Sequence, residues 1–174
     1  MSAHLILTVI GDDRPGLVES LATAIAAHQG NWLESSMSQL SGKFAGIVRV
    51  SVPESQVATL KAALAALPGL RVTAEEAQAV DAQGGSRRLK LSLVGHDRVG
   101  IVREVSQVLA RHAVNVEDLS THTASAPMSA DILFHAVAEL TAAPDLDARA
   151  LIADLEHISN DLMVDINLDE TIRN

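Results

Sequence analysis

The chain has no cysteine and no tyrosine, and only two phenylalanines and one tryptophan among 174 residues. Without cysteine there is no disulfide, no thiolate nucleophile and no sulfur-ligated metal. So few aromatic rings cannot tile a sheet for stacking unpaired bases. Positive charge is also scarce. Thirteen Lys and Arg stand against 22 Asp and Glu, a formal net charge of −9. Gripping a phosphate backbone needs clustered cations, and the densest basic stretch, Arg87-Arg88-Leu89-Lys90, reads instead as the start of a strand. No nucleic-acid contact is expected. No apolar run approaches the roughly 20 residues that cross a bilayer, and the N-terminus lacks a basic segment followed by a long apolar one. The expectation is a soluble, cytoplasmic chain without a membrane partner.

What is present is a repeat. Gly11-Asp12-Asp13-Arg14-Pro15-Gly16-Leu17-Val18 returns 84 positions later as Gly95-His96-Asp97-Arg98-Val99-Gly100-Ile101-Val102. The same offset pairs Leu5 with Leu89, Leu7 with Leu91, His28 with His112, Asn31 with Asn115 and Ser36 with Ser120. A register held without a gap over some thirty residues marks two copies of one folding unit. The expected domains are 1–80 and 87–174, joined by a small polar linker at 81–86. Each copy is barely long enough for a core of its own, so packing against another module is expected, and with it a homo-oligomer.

Within the first copy, Leu5–Ile10 reads as a strand closed by Gly11-Asp12-Asp13. A helix follows, with Pro15 in its first turn, Asp13 as its cap, and Leu17, Val18, Leu21 and Ile25 on one face. Gly30-Asn31 ends it with residues that tolerate the left-handed conformation. A strand from Trp32 to Leu40, a turn at Ser41-Gly42-Lys43 and a strand with Val48, Val50 and Val52 alternating come next. A second helix opens at Pro53-Glu54, carries Val57, Leu60 and Leu64, and stops at Pro68-Gly69. A last strand alternates Leu70, Val72 and Ala74. The second copy repeats this order: a strand Leu89–Val94, then a helix with Ile101, Val102, Val105 and Leu109. A strand after Asn115, a longer turn at Ser125-Ala126-Pro127-Met128 and a strand near Ile132–Ala138 follow. A helix with Leu146, Leu151, Leu155 and Ile158 leads to a strand with Val164, Ile166 and Leu168. The order βαββαβ, twice, is the split βαβ pattern of ferredoxin-like α+β folds. Each module then has a four-stranded antiparallel sheet with two helices on one face, and its sheet edges are free to pair.

The duplicated loop carries the best functional signal. A glycine at the strand end permits a tight turn. A second glycine at the helix start leaves backbone N–H groups uncovered at the positive end of the helix dipole. That geometry suits a small carboxylate, while Asp13 and Asp97 can accept hydrogen bonds from an amino group. The alternative is that both aspartates are caps and the glycines serve turns and packing. The loop is too short for a nucleotide P-loop and has no Gly-Lys-Ser/Thr. Seven histidines are present, with His96, His112, His122 and His135 in the second half. None is spaced as a helical ligand pair, so neither a metal nor another cofactor is expected. Ser35, Ser36 and Ser120 lack a nearby base and a nucleophile-elbow pattern, which argues against an enzyme. Trp32 is expected to pack between sheet and helix.

Asp13-Arg14-Pro15-Gly16-Leu17-Val18, followed by His28-Gln29-Gly30-Asn31, resembles the opening of an ACT domain, a small-molecule-sensing βαββαβ module. Phe44-Ala45-Gly46 and Ala126-Pro127-Met128-Ser129 add to the likeness. Two such modules resemble the glycine cleavage repressor group within that family. The resemblance implies amino-acid binding where modules meet, through the first strand-helix loop and a facing strand. It also implies control of transcription by contact with a separate transcription factor. The ligand residues it implies are Asp13, Arg14, Gly16 and Asn31, with Asp97, Arg98, Gly100 and Asn115 in the second copy and glycine as the leading ligand. Val99 departs from the expected proline, and His96 stands where the first copy has an acid. A ligand-free interaction or dimerisation module, or a regulatory subunit of an enzyme of amino-acid metabolism, are the alternatives.

Overall fold

The computed structural model describes residues 1–77, 86–158, 160 and 162–168. The chain divides into two compact units, Met1–Asp81 and Ala82–Asn174. Of the expected linker, 81–85 lies outside the described residues.

The first unit runs β1 (Ser2–Asp12), α1 (Leu17–Ala27), β2 (Asn31–Leu40), β3 (Lys43–Pro53), α2 (Val57–Ala65) and β4 (Leu70–Glu76). The second runs β5 (Arg87–His96), α3 (Ile101–Arg111), β6 (Asn115–Ser125), β7 (Ile132–Ala142), α4 (Ala148–Glu156) and β8 (Met163–Leu168). The sheets are ordered β2-β3-β1-β4 and β6-β7-β5-β8, with every neighbouring pair antiparallel. This is the expected ferredoxin-like α+β architecture, twice.

Period-two alternation sets the buried face of each sheet. Leu5, Leu7 and Val9 of β1 and Val48, Val50 and Val52 of β3 are buried against Leu17, Leu21 and Ile25 of α1 and Leu60 and Leu64 of α2. The second unit does the same with Leu89, Leu91 and Leu93, with Phe134, Ala136, Ala138 and Leu140, and with Leu151 and Leu155 of α4. Leu146 and Ile158 flank α4 rather than belonging to it, and pack on the same core. In both units a bulge near the start of the edge strand, between Trp32 and Glu34 and between Val116 and Asp118, keeps the repeat in step. Ser41 and Gly42, with φ of 50° and 79°, make the two-residue turn between β2 and β3, the form that matches strand twist. The second unit has a longer loop there. In β7 the internal offset is therefore 90, so that Gly11 faces Phe44 and Gly95 faces Phe134.

Three expectations need correction. Val18 and Val102 are not on the buried face: they are 48% and 46% exposed. Leu17, Leu21 and Ile25 recur every fourth residue along the seam, and a residue one step on lies about 100° round the helix. The left-handed residue after α1 is Gln29 (φ 58°), and after α3 it is Ala113 (φ 53°), not the Gly30 position. The segment opening at Glu54 is a single 3-10 turn, Glu54–Gln56, before α2 begins at Val57.

Across the helix layer of the second unit, His112 Nε2 and Asp154 Oδ2 lie 2.8 Å apart, tying α3 to α4. The His112 hydrogen bond holds the Asp154 carboxyl below its ordinary range. A depressed carboxyl stabilises the fold above its unfolded pKa and loses that contribution as pH falls through its folded pKa. The Asp154→Asn variant should therefore unfold at lower urea than the wild type at neutral pH, the gap closing only in acid, below the usual aspartate range. A gap that does not change with pH would show that the carboxylate's charge is not involved.

Candidate functional site

β1 ends and α1 begins across Asp12-Asp13-Arg14-Pro15-Gly16. The loop is pinned to the neighbouring hairpin by the Asp13 N–H, which donates to Gly42 O at 2.9 Å. Beside it Asp12 pairs with Lys43, whose hydrogen bond lowers the Asp12 carboxyl pKa. The second unit matches this with the Asp97 N–H donating to Ile132 O at 2.9 Å, but its counterparts of Asp12 and Lys43 are His96 and Leu133.

Gly16 and Gly100 sit at φ 90° and 91°, immediately before α1 and α3. Nothing lies within 4 Å of where a Gly16 Cβ would be. The glycine is thus required by backbone conformation rather than by crowding. Neither helix has a side-chain cap, which overturns the assignment of that role to Asp13 and Asp97. With its N–H drawn to Gly42, Asp13 follows the hairpin, and the left-handed glycine lies between its carboxylate and the helix. The first intrahelical bond of α1 is Ser20 N–H to Gly16 O at 2.9 Å. The N–H groups of Leu17, Val18 and Glu19 therefore have no helical acceptor, and none has a loop acceptor among the described residues. Uncapped donors at a helix start form an anion site.

These donors open into a pocket of about 370 Å³ whose walls include Asp13, Arg14, Gly16, Val18, Glu19 and Phe44. Three of the four expected ligand residues of the first copy thus come together. Asn31 does not line it. It opens β2, beyond the C-terminal end of α1, and Asn115 is placed the same way in the second unit.

The two loops differ in their arginines. Arg14 Nη2 donates to Pro68 O at 2.9 Å, and its guanidinium lies over Gly69, where a Cβ would come within 2.2 Å of Nη2. Arg98 instead forms a two-pronged pair with Glu104, Nη1 to Oε1 at 3.1 Å and Nη2 to Oε2 at 2.5 Å. That hydrogen bonding raises the Arg98 pKa and lowers the Glu104 pKa. The position matching Glu104 in the first unit is Ser20, whose hydroxyl donates to Gly16 O. Glu104 was missed in the sequence. The signal was there: a carboxylate six residues after the arginine in one copy of the repeat, against a serine in the other.

Among the described residues no group of three or more His, Asp or Glu is arranged to hold a metal ion, and no helix is long and apolar enough to cross a membrane. Trp32 is partly buried against the first core.

Comparison with known proteins adds the following. Models of the ACT domain match residues 3–69 and 90–149. A UPF0237 protein of Methanopyrus kandleri is 36% identical over 56 residues, 32% of this chain and 62% of that protein. The match therefore spans less than two thirds of that relative's length. Among solved structures, an unknown protein from Galdieria sulphuraria superposes with a TM-score of 0.82 at 27% identity, covering 97% of this chain and 99% of the other. A candidate glycine cleavage system transcriptional repressor superposes with a TM-score of 0.72 at 19% identity, covering 100% and 99%. That last likeness speaks for the fold alone.

Proposed function

The chain belongs to the ACT domain family, with two ACT domains in tandem, and from that premise we propose that it is a non-enzymatic sensor of a small amino acid. The observation that carries this reading is the uncapped start of α1, behind a left-handed Gly16, opening into a pocket that also holds Asp13 and Arg14. A zwitterion needs donors for its carboxylate and an acceptor for its ammonium. The N–H groups of Leu17, Val18 and Glu19 supply the first, with Arg14 beside them, and the Asp13 carboxylate supplies the second. Glycine is the first ligand to test, in keeping with the fold likeness to a candidate glycine cleavage repressor.

Occupancy would favour one arrangement of modules over another, and a separate transcription factor would read that arrangement, as linkage requires. In a homo-oligomer, Asn31 and Asn115, at the heads of edge strands β2 and β6, would complete a loop offered by another module. Asp97, Arg98 and Gly100 form the matching loop of the second unit. There Glu104 already occupies Arg98, which favours an interaction role for that unit with the first unit doing the sensing.

A ligand that binds only the folded state stabilises it by about 2.7 kcal/mol at 100 times Kd. The melting temperature of the full chain should rise steadily with millimolar glycine or another small amino acid, and Arg14→Ala should remove most of the rise. If none of the twenty amino acids moves the midpoint, the sensing reading falls and the interaction-module reading replaces it. Asp13→Asn separates them further: a sensor loses its ligand response, whereas a scaffold keeps its partner unchanged.

A further inference from the structure

The first strand-helix loop meets a turn 54 residues further along the chain. Pro68 and Gly69 lie between α2 and β4, and Gly69 holds φ at 78°. Proline followed by a left-handed residue is the order of a type II turn, which accepts asparagine as well as glycine at its second central place. The turn therefore explains the backbone conformation at residue 69. It does not explain why the side chain is missing.

Arg14 explains that. A Cβ on Gly69 would lie 2.2 Å from Arg14 Nη2, 2.8 Å from its Cζ and 3.2 Å from its Nε. The guanidinium thus fills the place of the absent side chain, while Nη2 donates to Pro68 O at 2.9 Å. That bond is exposed, and a lone exposed contact is a weak tether. The bare Cα of Gly69 adds the shape that the bond lacks, because any other residue there would push the guanidinium away.

Arg14 is also a wall of the pocket at the start of α1. A guanidinium has five N–H donors in a planar fork, a shape that matches a carboxylate two-pronged. The second unit shows such a grip, with Arg98 holding Glu104 through Nη1 and Nη2. The first unit has Ser20 at that step of the helix, so the fork of Arg14 is not drawn along α1. We infer that Gly69 is a positioning residue of this pocket: its bare Cα and the Pro68 carbonyl seat the Arg14 guanidinium where the carboxylate of an amino acid meets it. The inference rests on reading the pocket as a ligand site, whereas the seat can be tested with no ligand present.

The test compares the full chain with its Gly69→Asn variant. Asparagine tolerates the left-handed conformation, so the turn is kept while a side chain enters the seat. Gly69→Ala serves as a second variant should Gly69→Asn fail to fold. The first readout, without ligand, is the NMR signal of the Arg14 Nε–H. It should shift and exchange faster with water in the variant while the backbone spectrum stays dispersed. The second is a glycine titration followed by melting temperature. Its apparent Kd should rise about tenfold, the lower end of what one charge-assisted hydrogen bond contributes. In an Arg14→Ala background Gly69→Asn should add no further loss, as expected of a residue that acts through the arginine. Ser20→Glu should give a similar loss by another route, drawing Arg14 into a pair like that of Arg98 with Glu104. An unmoved Arg14 signal in the folded variant, or an equal loss of affinity with and without Arg14, overturns the inference and leaves Gly69 a turn residue. If no amino acid binds the wild type yet the Arg14 signal still moves, the sensing reading falls and the seat is supported without it.

Discussion

Truncation of Leu21 to alanine is expected to lower the stability of the first unit by about 2–5 kcal/mol, the range for a fully buried leucine. Leu21 has no exposed surface and is the middle residue of the Leu17, Leu21 and Ile25 seam that seats α1 on the sheet. A helix of this length is marginal in water on its own. Its order therefore comes from that seam, and so does the fixed position of the amides at its start. Urea unfolding should show the loss, and hydrogen exchange should place it in β1, α1 and their neighbours. The ligand response should fall with it and be partly regained at high ligand concentration by mass action. Val18→Ala, one residue beyond the seam and half exposed, is the control and should change stability little. A cost below about 1 kcal/mol for Leu21→Ala would mean that α1 is held by something other than this seam.

Gly11→Ala should be a damaging single-methyl change. A Cβ there would lie 2.2 Å from Gly69 O and 3.3 Å from its carbonyl carbon. The obstruction is backbone, which no rotamer change can clear. Either β4 moves away from β1 or the pairing of Gly11 with Leu70 is lost. Overpacking of this kind costs about 1–3 kcal/mol. The displaced segment also carries Pro68 O and Gly69, on which Arg14 rests. Gly11→Ala should therefore weaken ligand response by more than its stability cost explains, visible as a reduced melting shift at saturating glycine. A variant as stable and as responsive as the wild type would show that the strands separate there without penalty.

Gly11 also marks where the sequence can be read and where it cannot. The repeat, the alternation of Val48, Val50 and Val52, and the four-residue spacing of Leu17, Leu21 and Ile25 are local patterns, and the ferredoxin-like architecture follows from them. Gly11 reads as a turn glycine, yet its role is to let the Gly69 carbonyl, 58 positions on, come close. The capping role assigned to Asp13 fails for a similar reason. Which way a loop carboxylate faces depends on what its N–H is bonded to, here the Gly42 carbonyl of a hairpin formed by two other strands. Gln29 takes the left-handed conformation because tight closure after α1 falls at that step, although Gly30 is the residue with least to lose. The candidate site was legible as a glycine-framed loop, and His96 and Val99 already set its two copies apart. The pairing of Arg98 with Glu104 was not read, because a side-chain contact six residues along leaves no periodic pattern.

The Arg98–Glu104 pair sets a limit on what solution conditions can do to the second loop. Because the guanidinium holds the Glu104 carboxyl below its ordinary range, acidification within the span a living cell tolerates leaves the clasp shut. What separates the loops is written in one position of the repeat: a hydroxyl at position 20 leaves Arg14 without an acid partner among the described residues, and a carboxylate at 104 engages Arg98.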